Sequence, residues 1–149
     1  MDAYGRMKET IAERGLVQEG DALLLMVSGG SDSTALARLA ARLRDEGRLG
    51  ALDMLHVNHK LRGKDADDDA RFVAALADEL GIPLFSCEVD VAGEAARCGE
   101  NVEAVARRER YAAAEEAVLS MCQHEAIPLA QGKIVTAHTV DDRIESFYM

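Results

Sequence analysis

Tryptophan is absent from this chain, and three phenylalanines and three tyrosines are its only aromatic residues. With so few rings, the core of 149 residues must be aliphatic and alanine-rich, which suits helices packed closely on a sheet. Cysteine is scarce as well. Cys87, Cys98 and Cys122 are widely spaced, odd in number and form no CxxC, which argues against a zinc ribbon or a thioredoxin-like pair. Reduced thiols in or near the core are the expectation for them. Long apolar runs are missing too: residues 23–27 are too few for a signal-peptide core or a membrane span. A cytoplasmic location with no membrane partner follows as the default. Basic residues are outnumbered 17 to 27, a net charge of −10 that gives no global attraction for nucleic acid. Any such contact needs a local basic patch or another domain.

What is present is concentrated after residue 21. The charge-free run Ala22-Leu-Leu-Leu-Met-Val27 reads as a buried parallel strand, and residues 34–43 are good helix formers at helical spacing. Between them stands Ser28-Gly-Gly-Ser-Asp-Ser33. A strand that passes through two glycines into a helix is a place to hold phosphate. Glycine lets backbone approach an anion, the first helical N–H groups point at it, and the helix dipole favours negative charge there. No lysine occupies the position a Walker A loop requires. The oxyanion would be held by backbone N–H groups and the hydroxyls of Ser28, Ser31, Ser33 and Thr34. Asp32 would repel phosphate unless a divalent cation lay between them, so the loop suggests a nucleotide with Mg²⁺. The competing reading is a helix N-cap with a tight turn.

Strands are expected over 21–27, 52–57, 82–89 and 134–137. Helices are expected over 1–14, 32–46 and 65–80, from the cap Asn101 to about 122, and from Asp141 onward. Residues 91–100, with two glycines, read as a loop or a broken helix. The acidic start at 65–69 suits a helix dipole and needs no metal. Strands alternating with helices predict an α/β fold, a doubly wound parallel sheet with helices on both faces and one domain over 1–149. Ligands in such folds bind beyond the carboxyl ends of the strands, where strand order reverses. Segments 28–33, 58–63 and 138–142 each follow a strand and can meet there.

The second segment, read with the end of its strand as 56–63, carries His56, His59, Lys60 and Arg62. Its polar side chains could read adenine or ribose and reach phosphate, or form a solvated turn; as a metal signature His-x-x-His is weak. In the third, Asp141, Asp142 and Glu145 fit an N-cap with a capping-box-like glutamate, or a carboxylate for Mg²⁺. Arg107 and Arg110 share a helix face; they are surface salt-bridge partners for Glu103, Glu109 or Glu115, or Arg107 is a phosphate clamp.

Residues 28–33 resemble the pyrophosphatase loop, SGGxDS, of the N-type ATP pyrophosphatases, whose domains are Rossmann-like. Together with His56-Val-Asn-His-Lys-Leu-Arg-Gly63, Ala106-Arg-Arg-Glu-Arg-Tyr111 and Ala137-His-Thr-Val-Asp-Asp-Arg-Ile-Glu145, the chain is similar to the tRNA(Ile)-lysidine synthetases over about residues 20–149. The resemblance implies a ligase that uses ATP to adenylate O2 of the wobble cytidine in CAU-anticodon tRNA(Ile), releasing pyrophosphate. The ε-amine of free L-lysine then attacks C2 and displaces AMP. It implies ATP bound by Ser28, Gly29, Gly30, Ser31, Asp32, Ser33, Val57 and Asn58. Mg²⁺ would be held by Asp32 and Asp142, and Arg107, His138 and Asp142 would be catalytic. The alternatives are another adenylating ATP pyrophosphatase or a non-catalytic ATP-binding module. The segment 122–133 looks longer than the usual helix-to-strand connection. The chain is expected to be an N-terminal fragment of the enzyme, without the last strand of its catalytic domain or the C-terminal tRNA-gripping domains. Partners would then be tRNA(Ile), mainly through those absent domains, L-lysine and, for a homodimer, a second copy.

Overall fold

The computed structural model describes residues 18–28, 30–58, 64–136 and 145–146; the helix expected over 1–14 lies outside them. An uncharged aliphatic run gains nothing by facing water on either side. Accordingly β1 (Ala22–Met26) lies in the middle of the sheet, with no residue more than 8% exposed. It pairs in parallel with β2 (Ala51–Asn58) along one edge and β4 (Gly132–Thr136) along the other. β2 pairs in parallel with β3 (Leu84–Glu88), whose start is set by Pro83, a residue with no N–H for the ladder. With β5 (Glu145–Ser146), antiparallel on β4, the order is β3-β2-β1-β4-β5. Strand order therefore reverses between β1 and β4.

The period-two alternation of β1 feeds two cores. Leu23, Leu25 and Val27 pack with Leu36, Ala37, Ala40, Val73 and Leu76 of α1 (Ser31–Asp45) and α2 (Lys64–Leu80). Ala22, Leu24 and Met26 face the opposite way. There α3 (Val91–Cys98) precedes α4 (Val102–Glu125), and α4 supplies Ala114, Ala117, Val118, Met121 and Cys122. Helices cover both faces, as the composition predicts.

Two expectations are corrected. Residues 91–98 form a continuous helix, because the glycines lie where a helix begins and ends. The Asp90 side chain caps the Gly93 N–H at 3.0 Å, with no room for a Cβ there, and Gly99 takes the left-handed conformation (φ 69°) after the last turn. The helix expected from Asp141 does not include Glu145 and Ser146, which pair antiparallel with Thr136 and Val135. The neighbouring Ile144, Phe147 and Tyr148 are strand-favouring types, and the β4 edge offers ladder hydrogen bonds that a single helical turn lacks.

α4 starts where expected, with Asn101 accepting the Ala104 N–H at 2.7 Å. The long connection is then filled: α4 continues to Glu125, and a 3₁₀ turn (Leu129–Gln131) leads into β4. A Cβ at Gly132 would stand 2.9 Å from Cys122 Sγ and 3.0 Å from Val118 Cγ2. The C-terminal end of α4 thus abuts the start of β4, so the helix runs from the carboxyl edge of the sheet to its amino edge.

Asp53 is the one carboxylate β2 carries, and it lines a cleft of about 320 Å³ with Pro83, Phe85, Ser120, Met121, His124 and Glu125. Burial, and after it the Glu125 carboxylate, push its pKa up to about 6, while His124 works the other way. A carboxyl whose folded-state pKa is raised contributes stability at low pH and loses it as pH rises through that value. Asp53→Asn should therefore be more stable than wild type at pH 8 by about 1 kcal/mol, discounted for solvent screening. In thermal melts across pH, that gain should vanish below about pH 4.

Candidate functional site

The backbone ladder runs one residue past β1, with the Val27 N–H bonded to the Leu55 carbonyl at 2.9 Å. The Val27 carbonyl accepts from Nδ1 of His56, 2.8 Å away, on an imidazole only 6% exposed. A carbonyl can only accept, so Nδ1 carries the proton. Beyond it the loop folds onto the first turn of α1. The Ser28 N–H donates to the buried Ser33 Oγ at 3.2 Å, the two hydroxyls share a hydrogen bond of 3.0 Å, and the Gly30 N–H donates to Ser28 Oγ at 3.3 Å. The Gly30 carbonyl receives both the N–H and the hydroxyl of Thr34, at 3.0 and 2.9 Å.

Among the described residues no side chain caps α1. Its N-cap is Gly30 in extended conformation, and the first helical bond runs from Thr34. The amides of Ser31, Asp32 and Ser33 precede that bond and have no carbonyl within the helix to reach. Together with the positive end of the helix dipole they form a receptor for an oxyanion. A Cβ built on Gly30 would meet only Ser28 Oγ, at 3.6 Å, so no other described residue crowds that position. The cradle fits a phosphate group.

Ser28, Gly30 and Ser33 are thus brought together, with Ser31 and Asp32 as the first two residues of α1. Gly29 lies outside the described residues, as do the side chains of Ser31 and Asp32. Val57 and Asn58 end the adjacent strand. Asn58 is 5% exposed; its side-chain amide donates to the Asp67 carboxylate of α2 at 3.3 Å and its backbone carbonyl accepts the Val89 N–H at 2.9 Å. Val57 packs half-buried against the α4-side core. β4 ends at Thr136, opposite Met26, on the same edge as the loop. His138, Asp141 and Asp142 lie outside the described residues, as do His59, Lys60 and Arg62.

α4 has 24 residues and so is about 36 Å long, whereas a five-residue strand spans about 17 Å. With its C-terminal end at the start of β4, its N-terminal half extends beyond the carboxyl ends of β1 and β4, the five-residue strands. Arg107 rides on that half, exposed, its guanidinium 5.1 Å from the Tyr111 ring centroid, with Arg110 at 5.9 Å from the same ring. Arg108, in contrast, is held by Glu100 and Glu109. The arginine in ion pairs is thus Arg108, whereas Arg107 and Arg110, for which the pairing was expected, lie beside the Tyr111 ring. All three cysteines are free, and none is poised as a thiolate. Burial pushes the Cys87 and Cys122 thiols up, and the Glu94 carboxylate does the same to Cys98.

His56 falls within the strand expected over 52–57; what the sequence did not reveal is that its side chain is buried, on the same face as Met54. The available signal was the alternation Met54–His56–Asn58, opposite Leu55 and Val57.

A parallel sheet with an uncapped, glycine-led helix start at the point of strand-order reversal defines a phosphate-binding α/β domain. The chain belongs to the PP-loop domain family, which it matches over residues 3–149; membership implies an ATP-binding site. Among curated relatives it is 36% identical over 142 residues to a tRNA(Ile)-lysidine synthase of Dehalococcoides mccartyi, covering 95% of this chain and 28% of the relative. The synthase of Thermus thermophilus is 43% identical over 126 residues, 85% of this chain and 22% of the relative. That of Symbiobacterium thermophilum is 36% identical over 149 residues, 100% and 29%. The chain thus spans less than a third of the length of these relatives. Among solved structures it is similar to the U34-tRNA thiolase NcsA from Methanococcus maripaludis with its [4Fe-4S] cluster (TM-score 0.64, 16% identity, 94% of this chain and 46% of that one). It is also similar to an NH3-dependent NAD synthetase from Campylobacter jejuni (TM-score 0.50, 17% identity, 90% and 56%). At these identities the likeness establishes the fold.

Ser33→Ala should lower stability by about 1–2 kcal/mol, because it strips a buried hydroxyl from the Ser28 N–H. Thr34→Val removes a more exposed hydroxyl and should cost less than about 0.5 kcal/mol. Urea midpoints of the two variants provide the comparison.

Proposed function

We propose that this chain is the ATP-binding part of a tRNA(Ile)-lysidine synthetase, which joins L-lysine to the wobble cytidine of CAU-anticodon tRNA(Ile) through an adenylated cytidine. The single observation that carries the ATP reading is the uncapped start of α1 at Gly30, directly beyond the central strand. The lysidine reading draws support from the relatives of that name and from the combination of the 56–63, 106–111 and 137–145 motifs.

In this reading the amides of Ser31, Asp32 and Ser33, with the Ser28 hydroxyl, bind the departing pyrophosphate. Val57 and Asn58 border the adenosine end. Asp32 and Asp142 would hold Mg²⁺, which when bound neutralises phosphate charge. Arg107 and His138 would stabilise charge on the adenylate and the leaving group. Adenyl transfer followed by amine attack needs positioning and charge neutralisation rather than a protein nucleophile. That agrees with thiols raised above their usual range. The net charge of −10 fits a chain that leaves most of the tRNA contact to other parts of the enzyme.

Calorimetric titration with Mg·ATP should show binding that weakens by about tenfold or more in Asp32→Asn. Equal affinity in both would remove Asp32 from the site, and no binding by wild type would count against the ATP reading of this chain. In the complete enzyme, Arg107→Ala should reduce turnover by at least about a hundredfold with little change in melting temperature. A large fall in melting temperature with turnover intact would make Arg107 structural. Cys87→Ser should leave lysidine formation within about twofold of wild type, since a half-buried thiol held protonated does no chemistry. Abolished product would reopen a thiol-dependent reaction.

A further inference from the structure

The Val27–Ser28 peptide is the hinge between the most buried strand and the phosphate loop, and it is gripped at both ends. Its carbonyl accepts from His56 Nδ1 at 2.8 Å and its N–H donates to Ser33 Oγ at 3.2 Å. A peptide unit is planar, so fixing both ends fixes the direction in which the chain leaves the strand. Both partners are buried, His56 and Ser33 each being 6% exposed, so water cannot readily substitute for either.

The grip also ties the two hydroxyls together. Ser33 Oγ accepts from the Ser28 N–H, and its own proton is buried with Ser28 Oγ within reach at 3.0 Å. Ser28 Oγ shares that hydrogen bond and also accepts from the Gly30 N–H at 3.3 Å. Ser28 is exposed at the mouth of the cradle, and when Ser33 supplies the proton of the shared bond the Ser28 hydroxyl is free to donate to an anion.

We propose that His56 is a positioning residue for ATP: its buried imidazole, clamping the Val27 carbonyl from the neighbouring strand, orients the Val27–Ser28 peptide and with it the Ser33–Ser28 hydroxyl pair that faces the phosphates. The role rests on the ATP reading of this loop, and His56 itself touches no phosphate. The acting atom is Nδ1, bonded directly to the ring carbon that Cβ carries, and asparagine places an amide N–H at the equivalent position. Glutamine places its amide one carbon further out, nearer to where Nε2 would be, and leucine supplies no donor.

The test compares His56→Asn, His56→Gln and His56→Leu in the 149-residue chain, with Mg·ATP titration and amide hydrogen exchange at Ser28 without ligand. Asparagine should keep ATP affinity within about threefold of wild type and keep the Ser28 amide protected. Leucine and glutamine should weaken ATP binding by about tenfold and speed Ser28 exchange by a similar factor, one buried hydrogen bond's worth. Unfolding midpoints are read alongside, and asparagine need not be more stable than leucine for the rescue to appear. Rescue by glutamine instead of asparagine would overturn the proposal in favour of direct ligand contact through Nε2. ATP affinity falling equally in asparagine and leucine, in step with the midpoint, would reduce His56 to a core residue. If wild type binds no Mg·ATP, the ATP reading fails and the assigned role with it; the exchange pattern then still decides whether His56 clamps the peptide.

Discussion

The carboxyl edge of this sheet can be organised only because β1 is held on four sides. Both of its backbone edges are consumed by parallel ladders, to β2 and to β4, and both of its faces are covered by aliphatic side chains. A strand of Ala, Leu and Met satisfies this constraint without cost, because no polar side chain is taken out of water and every N–H and C=O has a ladder partner. The position of Val27 is therefore inherited from the least deformable part of the fold. α1 begins only four residues beyond Val27, so the direction of its dipole is inherited as well.

A negatively charged domain that binds a polyanion meets an electrostatic conflict, and the cradle resolves it locally. Attraction comes from oriented N–H groups and hydroxyls at the start of α1, fixed partial charges that act at contact distance. The net charge of the chain is −10, and its field acts over a Debye length of about 10 Å or less at ordinary salt. Contact-range dipoles thus outweigh a diffuse repulsion. Arg107 and Arg110, stacked on Tyr111, are positive charge carried by side chains of the overhanging half of α4.

Much of this was legible in the residues themselves. The alternation of short apolar runs with helical patterns fixed the fold class. The phosphate loop was visible because strand, glycines and helix are contiguous. What was not legible depended on partners distant in sequence. His56 meets Val27 across 29 positions, and Asn58 meets Asp67 on the next helix. Neither pairing has a local signature, since a histidine or asparagine at a strand end looks the same whether it faces solvent or a neighbouring carbonyl. α3 was obscured for another reason: Gly93 and Gly99 suggest breakage, yet one sits against the Asp90 cap and the other supplies the left-handed exit. The pairing of Glu145–Ser146 depends on an open edge at β4, which no periodicity within the segment can reveal.

The overhang of α4 divides the molecule into parts of unequal cohesion. Below the edge, its second half is bound into the sheet through Ala114, Ala117, Val118, Met121 and Cys122. Above the edge, the first half shares with α3 a satellite core of three buried side chains, Val91, Ala95 and Val105. So small a cluster opens at a lower free energy than the sheet, and it can do so without breaking a strand ladder. Arg107 and Arg110 are thus mounted on a separate, softer unit, and its opening leaves the loop and its hydrogen-bonded hinge in place.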